Sequence, residues 1–465
     1  MNVSRRQMLQ SAACGFGSLA LAGMCAEQAA AETPSLATRP GHHPARAKRM
    51  IFIFMQGGPS QVDSFDPKPL LDKEDGKKVE FKVARTMKVS PERVFKSPWS
   101  FHQYGESGRW VSDLFPHIAK SVDDFCLIRS MHTEGVAHGP ATLFLHTGAT
   151  NLVRPSTGAW ITYGLGTENQ NLPGFVTINP TAAKGGPRNY SNAFLPTIYQ
   201  GVDIGRAGVS TKQANIRHIQ NELLNKAEEQ RRFGLLQGIN RAQLENVGGG
   251  DELAATIDSF ELAFRMQNNA PGVIDLSQET PATLEQYGIG EQATDDFGRQ
   301  CLMARRMAES GVRYVQINYS DNGPTPRWDQ HSNIGAHETH ALATDKPVAG
   351  LMQDLKQRGL LEDTLVWWGG EFGRTPFAQG KDGRDHNPNG FSVWLAGGGV
   401  KPGFAYGETD EYGYNAVVDK VHMHDLHATL LHLMGLDHER LTYRYAGRDF
   451  RLTDVAGRVV KEIFA

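Results

Sequence analysis

The chain has 465 residues, of which 40% are hydrophobic and 21% are charged, and its formal net charge at pH 7 is −3. This length gives a large single domain or two modest ones, and interspersed charges of both signs do not indicate a nucleic-acid partner. Cys126 and Cys301 lie in apolar surroundings, which favours two buried free thiols over a disulfide between them.

The N-terminal segment is typical of an export signal. Residues 4–6 (Ser-Arg-Arg) begin a twin-arginine pattern, residues 12–22 are small or apolar, and residues 29–31 (Ala-Ala-Ala) offer a cleavage site. The apolar stretch is short and interrupted by glycine, which favours a cleaved signal over a retained transmembrane helix. We therefore expect a twin-arginine signal peptide over 1–31, a Pro/Gly/His-rich linker over 32–48, and a periplasmic or extracellular mature protein without an integral membrane segment.

Apolar runs and helical patterns then alternate along the chain. Short runs rich in β-branched and aromatic residues predict strands over 49–55, 125–131, 174–179, 312–319, 364–368 and 391–396. Apolar stripes at helical spacing predict helices over 293–310, about 342–358 and 425–434, the last with Asp425 as its cap. This alternation indicates an α/β fold with a mainly parallel central sheet between helices. Residues from about 210 to 270 are polar with helical spacing, split by glycines 248–250, and predict a helical insertion on that domain.

Chemically active side chains follow two of the predicted strands. Glu371 comes directly after the strand over 364–368, and His386 lies on the Gly/Pro-rich loop beyond it. Asp329, His331 and His337 follow the strand over 312–319. Ligands in open α/β sheets gather past the carboxyl ends of strands, so these side chains predict a divalent metal site in one crevice. The alternative is a solvated loop in which Asp329 caps a helix.

Arg374 directly follows the Glu-Phe-Gly turn over residues 371–373, and two roles are open for it. Its planar guanidinium could clamp a sulfate or phosphate, or it could pair with Asp385 or Glu371 and only hold the loop. Lys381 and Arg384 on the adjacent loop are expected to be solvated.

These motifs resemble the alkaline-phosphatase-like superfamily, which includes phosphatases, phosphomutases and sulfatases. The shared features are an Asp-x-His pair, an apolar strand that ends in an acid and glycine, and a histidine on the following loop. More narrowly, the blocks at 57–68, 370–376 (Gly-Glu-Phe-Gly-Arg-Thr-Pro) and 384–388 (Arg-Asp-His-Asn-Pro) resemble an exported, sulfatase-like bacterial family of unknown function.

The resemblance implies an alkaline-phosphatase-like three-layer sandwich, with helices on both faces of the sheet, over residues 49–465. It implies that the protein binds a divalent metal such as Zn, Ca, Mg or Mn. One implied site uses Asp329, His331 (or His337) and His386. A second uses Glu371 with Asp63 or Asp66.

Three positions depart from the superfamily's pattern. Phe372 stands where a ligating histidine or asparagine is usual, and Gln56 stands where an aspartate is usual. His138 lies where the family's nucleophile is expected, at the start of a helix. We expect His138 to face the cleft as ligand or base, although it could instead cap the helix or pack on the sheet. Thr133 is an alternative nucleophile.

The sequence thus predicts an exported, metal-dependent hydrolase of sulfate or phosphate esters, carried by a small molecule or a polysaccharide. Because the usual nucleophile is absent, a metal-activated water is the expected attacking group, with Arg374 neutralising charge. The alternative is a catalytically degenerate protein that binds sulfated glycans or a surface partner in the same cleft.

Overall fold

The computed structural model describes residues 36–217, 219, 223–246 and 251–465. The predicted signal peptide, the first part of the predicted linker and glycines 248–250 lie outside the described residues. The described part of the linker is bound to the domain, since Arg46 and Ala47 each donate a backbone hydrogen bond to the carbonyl of Leu433.

Nineteen strands are found within the described residues. In chain order they are β1 (Arg49–Met55), β2 (Lys78–Val83), β3 (Lys88–Arg93), β4 (Phe101–Tyr104), β5 (Arg109–Ser112), β6 (Phe125–His132), β7 (Phe175–Ile178), β8 (Val202–Ile204), β9 (Tyr314–Tyr319), β10 (Thr364–Gly369), β11 (Gly373–Gln379), β12 (Gly383–Asn387), β13 (Phe391–Ala396), β14 (Phe404–Tyr406), β15 (Glu408–Thr409), β16 (Ala416–Val418), β17 (Val421–His422), β18 (Tyr443–Tyr445) and β19 (Arg448–Phe450).

The described α-helices lie mostly between strands of the main sheet. They are α1 (Pro69–Lys73), α2 (His138–Thr147), α3 (Thr157–Leu165), α4 (Lys226–Asn246), α5 (Asp251–Ile274), α6 (Pro281–Gln286), α7 (Asp295–Glu309), α8 (His337–Gln357) and α9 (Met423–Leu433). None of these helices is both long and apolar enough to cross a membrane.

The main sheet runs in the order β14-β6-β13-β10-β1-β9-β7-β8, and β17 pairs with β6 beside this path. Its pairings are parallel except those of β13, which is antiparallel to β10 and to β6. The predicted α/β class with a mainly parallel central sheet is therefore confirmed, and each of the six predicted strands overlaps a strand of this sheet.

The centre of the sheet is buried on both faces. The residues from Met50 to Met55 of β1 are fully buried. Ile51 pairs with Val366 of β10 on one side and with Val315 of β9 on the other. Burying each such large apolar side chain contributes about 1.5–3 kcal/mol. Cys126 and Cys301 are free and buried, as predicted.

Two predicted helices begin earlier than expected. Helix α8 starts at His337 and carries Pro347 in its interior, whereas the sequence placed its start near 342. Helix α9 starts at Met423 with His422 as its N-cap, so the prediction that Asp425 is the cap was wrong. Asp425 instead accepts a hydrogen bond from the backbone N–H of His422 (2.9 Å) and forms the reciprocal half of a capping box.

A hairpin outside the main sheet covers the loop after β1. Strands β2 and β3 pair antiparallel, and Phe81 and Val83 of this hairpin pack with Val94, Phe377 and Tyr414 in an apolar cluster separate from the main core. The turn end of the hairpin is therefore anchored by a cluster separate from the main core.

Candidate metal centre

The site lies where four parallel strands end. Gly57 follows β1, Asp329 lies on the loop after β9, Glu371 follows β10, and His138 opens helix α2 shortly after β6. Strands β10, β1 and β9 are neighbours, and β6 is separated from β10 only by the antiparallel β13. The carboxyl ends of these strands meet at one edge, so residues far apart in sequence come together there.

A glycine turn after β1 permits this close approach. Gly57 and Gly58 have φ of +111° and +76°, and a Cβ on Gly57 would lie 2.7 Å from the backbone nitrogen of Trp328. A Cβ on Gly58 would lie 2.8 Å from Cδ2 of Phe372. Only glycine combines this conformation with such proximity, and the turn therefore packs against both ligand-bearing loops.

Three imidazoles converge on one carboxylate oxygen. Oδ1 of Asp329 lies 3.1 Å from Nε2 of His138, 2.8 Å from Nε2 of His331 and 3.1 Å from Nε2 of His386. These ligand atoms all lie within 4.8 Å of one another. Ligands of a tetrahedral ion with bonds of about 2.1 Å are about 3.4 Å apart, so the separations suit a small divalent ion.

The other ring nitrogen of each histidine meets an oxygen acceptor. Nδ1 of His138 lies 2.6 Å from Oε1 of Glu371, Nδ1 of His386 lies 2.8 Å from the carbonyl oxygen of Val136, and Nδ1 of His331 contacts Oε1 of Gln379. A neutral imidazole carries one proton, and these acceptors place it on Nδ1. Each Nε2 then presents a lone pair to the cluster, as in histidines that ligate metals.

Hydrogen bonds between the imidazoles and Asp329 do not by themselves explain this arrangement of atoms. With each imidazole neutral, three nitrogen lone pairs would face the lone pairs of Asp329 Oδ1, which is repulsive without a cation between them. With every Nε2 protonated, three imidazoles and the Arg374 guanidinium (2.8 Å) would donate to a single oxygen, which offers about two lone pairs. Nε2 of His138 is buried without a hydrogen-bond partner. The residues therefore fit a metal ion, and the set of three nitrogens and one oxygen suits a transition metal.

The charges of the cluster shift its pKa values. Burial opposes ionisation of Asp329, but its contacts with the three histidines and the charge of Arg374 hold its pKa well below the ordinary value. Burial lowers the pKa of His138, yet its close contacts with Asp329 and Glu371 outweigh burial and raise that pKa overall. Burial also lowers the pKa of His386. His138 is thus the imidazole that a proton and a metal ion compete for most directly.

Glu371 lies one step outside the cluster. Its oxygens accept hydrogen bonds from the backbone N–H of Gly57 (3.0 and 3.1 Å) and contact His138. The structure therefore places this carboxylate where it orients His138, whereas the resemblance implied a direct ligand. Phe372 is buried against the rings of His138 (5.0 Å between centroids) and His386 (4.5 Å) and closes that side of the cluster.

Arg374 is fully buried and engaged within the protein. It contacts Asp329, and it donates to the carbonyl oxygens of Gly57, Gly58 (3.0 Å) and Arg384 (3.3 Å). Of its two interpretations, pairing with an acid matches this geometry, although the partner is Asp329 and not Asp385 or Glu371. The guanidinium has little capacity left to clamp a substrate anion.

Three other candidates lie outside the cluster. Nε2 of His337 accepts the backbone N–H of Ser60 (3.3 Å), and the ring packs against Trp328. Both oxygens of Asp63 are bound by Arg384 (2.6 and 3.0 Å), which is fully buried and not solvated as expected. Thr133 lies in the loop between β6 and α2, and its hydroxyl contacts none of the four cluster residues.

The residues that orient His331 and His386 were not anticipated. Gln379 ends β11, and Val136 acts through its backbone carbonyl, which any residue type supplies. Asp385, whose Oδ1 lies 3.7 Å from Nδ1 of His331, was visible in the sequence as the neighbour of His386.

Comparison with known proteins identifies a family and distant structural likenesses. The model of the family described as "Protein of unknown function (DUF1501)" matches residues 47–464. No curated protein matches the chain. Similar solved structures include the lipoteichoic acid synthase LtaP from Listeria monocytogenes, at 10% identity and a TM-score of 0.35, covering 90% of this chain and 78% of that one.

Two further structures show the same degree of similarity. A protein in the alkaline phosphatase superfamily from Vibrio parahaemolyticus has 9% identity and a TM-score of 0.36, with 87% of this chain and 70% of that one covered. The phosphonate monoester hydrolase SpPMH from Silicibacter pomeroyi has 11% identity and a TM-score of 0.36, with 75% and 71% covered. Such distant likenesses transfer no activity to this chain, so its site is interpreted on its own geometry.

Proposed function

The chain belongs to the DUF1501 family of proteins of unknown function, and we propose that it is a metal-dependent hydrolase of sulfate or phosphate monoesters. The observation that carries the proposal is the convergence of three imidazole nitrogens and one carboxylate oxygen at the ends of parallel strands. The motifs that resemble the alkaline-phosphatase-like superfamily support the choice of ester.

We infer one metal site per chain, formed by His138, Asp329, His331 and His386. Nitrogen ligands favour Zn²⁺ over Ca²⁺, Mg²⁺ and Mn²⁺, which prefer oxygen. A second ion beside Glu371 is disfavoured, because that carboxylate is already bound by Gly57 and His138 and the adjacent position is the apolar ring of Phe372. When bound, such an ion polarises ester oxygens and makes a water acidic enough to attack at neutral pH.

Residues around the cluster orient its ligands, keep Asp329 ionised and shield one side of the site from water. Glu371 keeps the His138 proton on Nδ1, and Arg374 keeps Asp329 ionised. Phe372 excludes water from the inner side of the cluster. His331, whose side chain is 29% exposed, marks the side from which substrate and water enter.

The test combines metal analysis with ester hydrolysis by the mature protein. We expect about one transition-metal ion per chain and hydrolysis of at least one aryl sulfate or phosphate, both lost in Asp329→Asn and His386→Gln. His102→Gln is the matched control, because His102 lies on β4 with a side chain that is 59% exposed. A metal-loaded protein inactive on every ester would contradict the proposed reaction.

A second candidate function is binding without catalysis. Four protein ligands fill the coordination sphere of a tetrahedral ion, as in structural zinc sites, and leave no position for a water. Arg374 is buried and already bound within the protein. Binding of sulfated glycans that persists in Asp329→Asn, together with absent hydrolysis, would favour this candidate.

We also propose that the protein is exported through the twin-arginine pathway to the periplasm or cell exterior. The pattern at residues 4–6 supports this route, which carries proteins already folded around their metal. Replacing Arg5 and Arg6 by lysine should retain the uncleaved protein in the cytoplasm, and fractionation with immunoblotting measures this. Normal export of that variant would contradict the proposal.

A further inference from the structure

An ester hydrolase of this kind needs a cation that reaches its anionic substrate, and the buried arginines do not supply one. Arg374 and Arg384 are each 0% exposed, and their N–H groups bind Asp329, Asp63 and backbone carbonyls. Lys381 on the neighbouring loop is 91% exposed, but its ammonium lies toward Asp382 (3.9 Å). The buried arginines are therefore excluded as substrate-binding cations, which leaves the exposed cations beside the cluster.

Arg85 lies at the exposed side of the cluster. It occupies the turn between β2 and β3, and its side chain is 57% exposed. Its guanidinium is 3.5 Å from Oδ1 of Asp385, and the same oxygen is 3.7 Å from Nδ1 of His331. Two contacts thus connect Arg85 to His331, the most exposed residue of the cluster.

The turn that carries Arg85 is held in place. The hydroxyl of Tyr414 accepts the backbone N–H of Ala84 (2.9 Å) and donates to the carbonyl oxygen of Lys82 (2.9 Å). Met87 adopts φ of +58°, and its N–H donates to the carbonyl oxygen of Val83 (2.8 Å). Arg85 is therefore an exposed side chain on a turn whose backbone is held by hydrogen bonds.

A cavity of about 570 Å³ adjoins the turn and extends to Val136, which contacts the cluster through its backbone carbonyl. It is lined by Ala84 and Met87, which flank Arg85, and by Val136, whose carbonyl oxygen holds His386. Three acids (Glu80, Glu134 and Asp410) and one cation (Lys82) also line it, so the cavity itself suits a neutral, hydroxyl-bearing group better than a second anion.

We propose that Arg85 recognises the anionic sulfuryl or phosphoryl group of the substrate, whose alcohol portion occupies this cavity. A guanidinium binds such oxyanions through two parallel N–H donors. Its present pair with Asp385 is long, and the guanidinium side chain is 57% exposed whereas the carboxylate side chain is 10% exposed, so an incoming oxyanion reaches the guanidinium from the solvent side. The inference rests on the proposed function, because it assigns the substrate of the same site.

The test is calorimetric titration of the zinc-loaded protein with inorganic phosphate and with sulfate. Arg85→Ala should weaken binding of at least one anion by about tenfold or more, and Arg85→Lys should restore part of the loss. Lys88→Ala is the matched control, since it removes an exposed cation at the start of β3, and it should bind as the wild type does. Zinc affinity should be unchanged in Arg85→Ala, which separates anion recognition from a role in holding Asp385 and His331.

The outcomes distinguish this inference from the proposed function. Anion binding that depends on Arg85 in a protein inactive on all esters would sustain the inference and contradict hydrolysis. Hydrolysis with anion affinity and KM unchanged in Arg85→Ala would overturn the inference and sustain the function. A wild-type protein that binds neither anion overturns the inference as well.

Discussion

At the scale of single residues, we expect the Glu371–His138 pair to decide how well the cluster holds an ion. Glu371 fixes the proton on Nδ1 of His138 through a 2.6 Å contact and so keeps Nε2 available as a ligand. Glu371→Gln should lower zinc affinity by about 10–100-fold, because the orienting carboxylate is lost. Competition with a chromophoric chelator measures the change.

The control for this substitution is Glu134→Gln. Glu134 lies on the loop before α2, its side chain is 65% exposed, and it contacts none of the cluster residues. It should bind zinc as the wild type does. Equal zinc affinity in Glu371→Gln and the wild type would mean that Glu371 does not orient His138.

Asp63 should affect stability and not metal binding. It forms a fully buried, bidentate pair with Arg384, and removing one partner leaves the other charge unpaired in the interior. Asp63→Asn should therefore lower the free energy of unfolding of the metal-free protein by about 3 kcal/mol. Urea denaturation measures this loss. Loss of zinc affinity in the folded variant would instead indicate that Asp63 is a ligand.

The sequence predicted that Asp329, His331 and His386 share one site, because each follows a strand in a recognisable motif. It did not separate ligands from residues that hold the ligands. Asp63 and Arg384 are 321 positions apart, and the sequence carries no local signal that the two will pair. The sequence likewise contains no signal that tells whether the side chain of Arg374 faces a substrate or Asp329.

At the scale of secondary structure, apolar runs predicted the main strands because the sheet is buried on both faces. The β2–β3 hairpin was missed, since half of its strand residues are charged and only Phe81 and Val83 among them are buried. The apolar side chains of the hairpin pack against Tyr414 and Phe377, which lie far along the chain. The hairpin that carries Arg85 was therefore visible only in the folded protein.

Helices α2 and α9 should make the protein sensitive to acid. Burial lowers the pKa of His146 on α2 to about 4 and that of His427 on α9 to about 3, from ordinary values of 6.5. Nε2 of His427 lies 2.8 Å from the carbonyl oxygen of Leu145, which ties the two helices together.

The sign of this dependence follows from proton uptake. Above pH 6.5 both imidazoles are neutral in the folded and unfolded states, and their contribution is complete. As the pH falls from 6.5 toward 4, the unfolded state binds protons that the folded state refuses, so stability falls, by about 3 kcal/mol for His146 alone. Urea titrations at several pH values should show this loss, and it should be smaller in His427→Gln. An equal loss in His427→Gln and in the wild type would contradict the assignment.

At the scale of the whole molecule, a metal ion would join loops that follow different strands. His138, Asp329 and His386 are separated by up to 248 positions, so the ion would link the ends of the sheet into one unit. A ligand bound only by the folded state stabilises it by about 4 kcal/mol when present at a thousand times its dissociation constant. Removing the ion with a chelator should therefore lower the melting temperature by several degrees, and one equivalent of zinc should restore it.

Acid should weaken the metal-loaded state further. The pKa of His138 is raised by Asp329 and Glu371, so protons compete with the ion at a higher pH than for an ordinary histidine. Zinc affinity should decline as the pH falls through this raised pKa. An affinity that does not change between pH 8 and 6 would exclude His138 as a ligand.

Anomalous diffraction from crystals grown with zinc tests most directly whether a single metal ion is held by three histidines and one aspartate. We expect one strong anomalous peak per chain, within bonding distance of Nε2 of His138, His331 and His386 and of Oδ1 of Asp329. No peak at this position, or a second peak beside Glu371, would contradict the account.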